Sequence, residues 1–157
     1  MNVCGAVVSE RDGNINWKNM KEKGIGAAML CAGYGSGSID LQFRKNAEAC
    51  SKLSIPFGVY WQSYAYTVEM AKREAEFCME TVEEFALAYP ICIKYDNGSI
   101  RYAQSKGIRV IEEFAWEMIR TFGRRVEAEG YTSMCFLELD GCQIVFGIEK
   151  CSNFKIS

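Results

Sequence analysis

Histidine is absent from all 157 residues, and that absence removes more chemistry than any other feature of the composition. Without imidazole there is no Ser-His or Cys-His nucleophile pair and no zinc site built on histidine. Acid–base work then falls to carboxylates, lysine, tyrosine or cysteine. Proline occurs only twice, which argues against a linker-rich or disordered chain. No apolar run is long enough to span a bilayer, and the opening MNVCGAVVSERDG has no basic stretch leading into a sustained apolar one. The expectation is a chain with no signal peptide and no membrane span, placed in the cytoplasm. The 18 basic and 20 acidic residues are interspersed, so no basic stripe exists to hold phosphate backbones, and nucleic acid is excluded as an expected partner. C-x-x-C pairs are missing too; the eight cysteines lie mostly in apolar runs and are expected to be reduced and packed as small hydrophobes. No metal or cofactor is expected.

What is present fits one folded domain over residues 1–157, with 49% apolar and 24% charged residues. Apolar β-branched runs alternate with helical patterns, the signature of an α/β fold around a mostly parallel sheet. Strands are predicted at 3–8, 26–32, 56–62, 91–95 and 132–137. Helices are predicted at 16–21, at 41–53 with Asp40 as N-cap, at 67–87 and at 108–128. Five such β-α units cannot close an eight-stranded barrel by themselves.

The stretch YPICIKYDNGS, from Tyr89 to Ser99, draws most attention. A buried strand in an α/β protein that ends in polar residues delivers them to the usual position of an active site. Lys94 and Asp96 lie two apart, so they share a face with Cys92 beneath them and can form an ion pair. Asn97-Gly98 reads as a turn. Tyr34, Tyr60, Trp61, Tyr64 and Tyr66 could stack on sugar rings or serve as core; Trp61 reads mainly as core. Glu112 and Glu113 read as a solvated helix face. The loop GYGSGS matches neither nucleotide-binding signature.

Several segments, in order, resemble the lysozyme-like glycoside hydrolases of family 25, especially the clostridial and phage type. GAVVS is similar to the family's opening Gly-Ile-Asp-Val-Ser strand, and GNINWKNMKEKGI to its Gly-x-Ile-Asp-Trp segment and following helix. CAGYG resembles Arg-Ala-Gly-Tyr-Gly, and Asp40, Phe43 and Asn46 match a spaced Asp, Phe and Asn. IPFGVYWQSYA is close to Ile-Pro-Val-Gly-Val-Tyr-Trp-Tyr-Ser-Tyr-Ala, with Ala71, Glu74 and Ala75 continuing the pattern; YPICIKYD resembles Tyr-Pro-Ile-x-Ile-Asp-x-Glu, and EGYTSMCF a later Gly-Tyr strand. The resemblance implies a TIM-like (β/α)5β3 barrel, here incomplete because the sequence departs after about 138. It also implies cleavage of the β-1,4 bond between N-acetylmuramic acid and N-acetylglucosamine in peptidoglycan. Clustered carboxylates would do this chemistry, one holding a proton for the leaving oxygen and others staying ionised.

At those positions the sequence differs. Val7 takes the place of the first-strand Asp, Lys94 that of the Asp in Asp-x-Glu, and Asp96 that of the acid Glu, while Cys31 replaces a strand-two Arg and Gln62 a groove tyrosine. A neighbouring cation favours an ionised carboxylate, whereas a general acid must hold its proton near neutrality, so Lys94 works against acid catalysis. The expectation is a degenerate lysozyme-like domain. It would keep a groove for peptidoglycan or a related glycan, lined by Tyr34, Tyr60, Gln62, Tyr64 and Lys94, or act as a protein-interaction module. A homodimer or a protein partner would then cover the open barrel edge. The alternative is an active or slow muramidase with Asp96 as acid, and a phage-encoded protein would be released by lysis. GCQIVFGI is similar to a terminal Gly-x-Val-x-Gly-Ile motif.

Overall fold

Alternation of apolar residues along each strand decides which side of the sheet meets helices. The computed structural model describes the backbone of residues 3–139 and 142–147 and the side chains of residues 3–136. In chain order it contains β1 (Cys4–Val8), α1 (Trp17–Glu22), β2 (Ile25–Tyr34), β3 (Ser38–Ile39), α2 (Phe43–Lys52), β4 (Phe57–Gln62) and α3 (Val68–Val82). There follow β5 (Ile91–Lys94), α4 (Asn97–Ser105), α5 (Glu112–Ala128), β6 (Ser133–Leu139) and β7 (Cys142–Gly147). The sheet runs β1-β2-β4-β5-β6-β7, with the short β3 folded back on β2. Neighbours from β1 to β6 are parallel, whereas β7 returns antiparallel to β6. This is the expected α/β architecture. Among the described residues β1 and β7 are the two ends of the sheet. Of GCQIVFGI, only Cys142–Gly147 falls within the described residues; Gly141 and Ile148 lie outside them.

One side chain set from each strand packs against the helices. Leu30 and Ala32 of β2, Val59 and Trp61 of β4, Ile91 and Ile93 of β5, and Cys135 of β6 are all completely buried there. Facing them, α3 buries Ala71, Ala75, Cys78 and Val82, and α5 buries Ile119, Phe122 and Val126. Residues of the opposite parity, Cys31, Tyr60, Cys92 and Phe136, form a smaller cluster on the concave face with Met29 and Met134. Cys31, Cys50, Cys78, Cys92 and Cys135 are buried, as expected of small hydrophobes, while Cys4 is exposed. The Trp17 indole donates to Asn46 Oδ1 at 3.0 Å, tying α1 to α2 through a buried polar pair.

Gly33 marks a close approach that no other residue permits. It follows a register shift in β2, and a Cβ there would stand 2.4 Å from the Ser38 carbonyl oxygen and 2.6 Å from the Trp61 ring. Trp61, fully buried, then donates its indole N–H to the Gly35 carbonyl at 3.1 Å.

Four local expectations change. The stretch Asn97-Gly98 is the first turn of α4 and not an isolated turn, because the Asp96 side chain accepts from the Gly98 and Ser99 amides and starts a helix. Asp40 does not cap α2, whose N-cap is Gln42; the Asp40 carboxylate instead accepts from the Gln42 and Glu10 amides, pinning the end of β1 to the loop before α2. The helix expected over 67–87 stops at Val82, with Phe85 and Leu87 still packed on the core. The helix expected from 108 begins at Glu112, since Ile108 is drawn back to the Ala103 carbonyl behind Gly107.

Candidate functional site

The C-terminal ends of parallel strands bring polar residues together because each strand stops where its apolar run stops. At this end of the sheet a concavity of about 650 Å³ is lined by residues following β1 (Ser9–Arg11), by Tyr34 and Asp40, and by Tyr60, Gln62, Tyr64, Lys94, Asp96 and Arg101. Asp96 and the expected groove residues Tyr34, Tyr60, Gln62, Tyr64 and Lys94 all line it, whereas Trp61 and Tyr66 do not. Val7 is different: it pairs in register with Met29 below this mouth, does not line it, and is 48% exposed.

Asp96 is held by its surroundings on both sides. Its Oδ1 accepts from the Gly98 amide at 3.0 Å, the Ser99 amide at 3.2 Å and the Gln62 side-chain amide at 3.0 Å. Its Oδ2 faces Lys94 Nζ at 3.9 Å, an ion pair too long for a hydrogen bond. The expected Lys94–Asp96 pairing is therefore present in loose form. Lys94 gains other contacts, its ammonium lying 5.7 Å from the centre of the Tyr60 ring and 5.4 Å from that of Phe136. Those two rings stack on each other at 6.0 Å, flooring the mouth.

The wall behind Asp96 is a chain of buried hydrogen bonds. Ser99, fully buried on α4, donates to the Ser63 carbonyl at 2.6 Å and accepts from the Gln62 amide at 3.2 Å. Glu74 on α3, itself only 2% exposed, accepts from the Ser63 hydroxyl and from the Tyr64 amide at 2.9 Å. Burial lifts its carboxyl to about 7, against the pull of those hydrogen bonds. Tyr64, held by this anchor, meets Tyr102 of α4 edge to face at 5.4 Å, and Tyr66 tilts toward the same ring at 6.1 Å.

The thiols and the buried phenol at and beneath the floor of the mouth do not supply a base near neutrality. Burial pushes the Cys31 and Cys92 thiols up to about 12 and raises the Tyr60 phenol as well. Trp61 is core, as read from the sequence, whereas Tyr60 belongs to both core and mouth and Tyr34 is 38% exposed at the rim. Glu112 and Glu113 lie away from the mouth, on a separate concavity of about 950 Å³ along the outer face of α5. Glu112 accepts from the Trp116 indole at 3.3 Å, so it is not wholly a solvated residue. Among the described residues no group of three or more cysteine, aspartate or glutamate side chains could hold a metal ion. No helix among them is long and apolar enough to cross a membrane.

Arg11, Arg101, Ser99 and Tyr102 line or support the mouth without having been singled out from the sequence. The signal for Arg11 was its place just after the first strand. A turn at Asn97-Gly98 gives no sign of the α4 residues, since only a helix brings Ser99 and Tyr102 back beside the mouth.

The family model "Glycosyl hydrolases family 25" matches residues 7–147. No curated protein matches the sequence. Among solved structures, the modular autolysin LytC from Streptococcus pneumoniae superposes with a TM-score of 0.74 at 23% identity, covering 85% of this chain and 32% of that one. A family 25 glycosyl hydrolase from Bacillus anthracis gives 0.72 at 22% identity, covering 87% and 60%. A bacterial lysozyme from Streptomyces coelicolor gives 0.69 at 18% identity, covering 87% and 63%. The chain thus spans less than two thirds of the length of each, and at these identities the likeness is one of fold. With residues 7–147 of the 157 matched by one family model, the chain belongs to glycosyl hydrolase family 25.

Proposed function

We propose that this domain is a degenerate family 25 member that holds a peptidoglycan-type glycan at the mouth of its sheet and does not cleave it. The observation that carries this reading is the state of Asp96, the one surviving carboxylate of the implied catalytic set. Its Oδ1 is occupied as the N-cap of α4, and its Oδ2 faces the Lys94 ammonium. A general acid must present a proton to the leaving oxygen, and a second carboxylate must stabilise positive charge at the sugar. Here Val7 and Lys94 stand where the resemblance calls for the others. Glycan as the ligand class is supported by Tyr34, exposed at the rim, with half-buried Tyr64, and by LytC, which has been solved with a synthetic peptidoglycan ligand.

The test is release of muropeptides and new reducing ends from purified peptidoglycan, comparing the protein with a Val7→Asp, Lys94→Asp, Asp96→Glu triple variant. No release by the unaltered protein, with release by the variant, supports the reading. Release by the unaltered protein that vanishes in Asp96→Ala sinks it and makes Asp96 the acid of a slow muramidase.

A second reading, a protein partner or second copy over the open edge, is favoured by the exposure of Val3 (59%) and Val7 (48%) beside β2. A sedimentation coefficient independent of concentration would count against self-association.

A further inference from the structure

The mouth contains as many cationic as anionic side chains, yet the two signs are not equally available. Asp40 is 3% exposed, with Oδ1 taken by the Gln42 amide at 2.9 Å and Oδ2 by the Glu10 amide at 2.8 Å. Glu10 gives its Oε2 to the Leu41 amide at 2.8 Å. Asp96 is committed to α4, Gln62 and Lys94 as described. At least one oxygen of each carboxylate in the mouth is thus taken by the protein's own N–H groups.

The donors are not. The guanidinium groups of Arg11 and Arg101 have no hydrogen bond or ion pair among the described residues, and both side chains are exposed at the rim. Lys94 carries three N–H bonds and reaches no acceptor within hydrogen-bonding distance; its ammonium meets only ring faces and the distant Asp96 oxygen. A cavity whose carboxylates are each hydrogen-bonded by the protein and whose cations are not is complementary to acceptor groups, above all charged ones.

We propose that this mouth takes an anionic saccharide, its sugar ring against Tyr34 or Tyr64 and its carboxylate or phosphate among Arg11, Lys94 and Arg101. The inference rests on the reading of the mouth as a glycan-binding groove and narrows its ligand. The substitution that removes a catalytic carboxylate, lysine at 94, is the same one that gives the floor a positive charge. Loss of hydrolysis and a change of ligand charge then have a single cause.

The experiment is titration calorimetry on the full chain with three probes: neutral chitotetraose, N-acetylmuramyl dipeptide carrying a carboxylate, and N-acetylglucosamine 6-phosphate. The expected result is at least about tenfold tighter binding of one or both anionic probes than of chitotetraose. That preference should shrink as salt is raised. Which anion binds assigns the source of the charge. An Arg11→Gln, Arg101→Gln double variant, both sites exposed and so compatible with the fold, should lose the preference, read as the ratio of anionic-probe to chitotetraose affinity. Chitotetraose binding as tightly as the anions overturns the inference and leaves the glycan groove standing. No binding of any probe overturns both. A double variant that keeps the preference overturns the assignment of the arginines.

Discussion

Ser63 donates its hydroxyl to the buried carboxylate of Glu74 at 2.5 Å, and this contact joins the helix layer to the floor of the site. Ser63 also offers its carbonyl to Ser99 of α4, so α3, the end of β4 and α4 are tied through one residue. The tie is built around a carboxyl group that burial holds in its protonated form up to about pH 7.

Stability should therefore depend on pH with an unusual sign. The folded carboxyl of Glu74 titrates near 7 and the unfolded one near 4.5, so between those values the folded state binds the extra proton. Stability from this group is full below about pH 4.5, falls as pH rises toward 7, and is flat above; the total loss is on the order of 3 kcal/mol. Urea midpoints taken from pH 4 to pH 8 should show this decline, and Glu74→Gln should flatten it. A slope unchanged in the variant would assign the effect to another group.

Asp96 should behave as a helix cap whatever its catalytic state. Asp96→Ala removes the acceptor for the Gly98 and Ser99 amides and for Gln62, and should cost about 1–2 kcal/mol. Asp96→Asn keeps an oxygen at the Oδ1 position and should cost clearly less. Denaturant midpoints of the two variants decide it; equal losses would mean that the charge, and not the cap, matters.

Gly33→Ala should destabilise the packing of β2, β3 and Trp61 beside the mouth. Its Cβ would meet the Ser38 carbonyl and the Trp61 ring at distances no real contact shows, forcing β2 and β3 apart. Overpacking of this kind costs about 1–3 kcal/mol or more, read as a lowered thermal midpoint. An unchanged midpoint would mean that β3 moves aside freely.

Much of the fold is legible because strand and helix periods in this chain seldom conflict. Leu30, Val59, Ile91 and Ile93 sit in short apolar runs bounded by polar residues, and each run is a strand of the sheet. The errors fall where a local signal has two physical outlets. Asn97-Gly98 favours a turn by composition, yet a preceding aspartate converts that turn into a helix start, and Asp40 looks like a cap but spends its carboxylate on Glu10, thirty residues back. Of the mouth, residues on predicted strand ends were found from the sequence. Arg11 and Arg101 were not, because nothing local distinguishes a cation aimed at a cavity from one facing solvent.

The double duty of Asp96 also bears on descent. A glutamate at 96 would carry its carboxylate one methylene beyond the Gly98 and Ser99 amides, and Lys94→Asp alone would set a second negative charge against Asp96. Each single step toward the family's carboxylate pair weakens the start of α4 or adds repulsion at the floor. Position 96 therefore resists conversion to glutamate by a single substitution, because the helix start and the floor would have to adjust together.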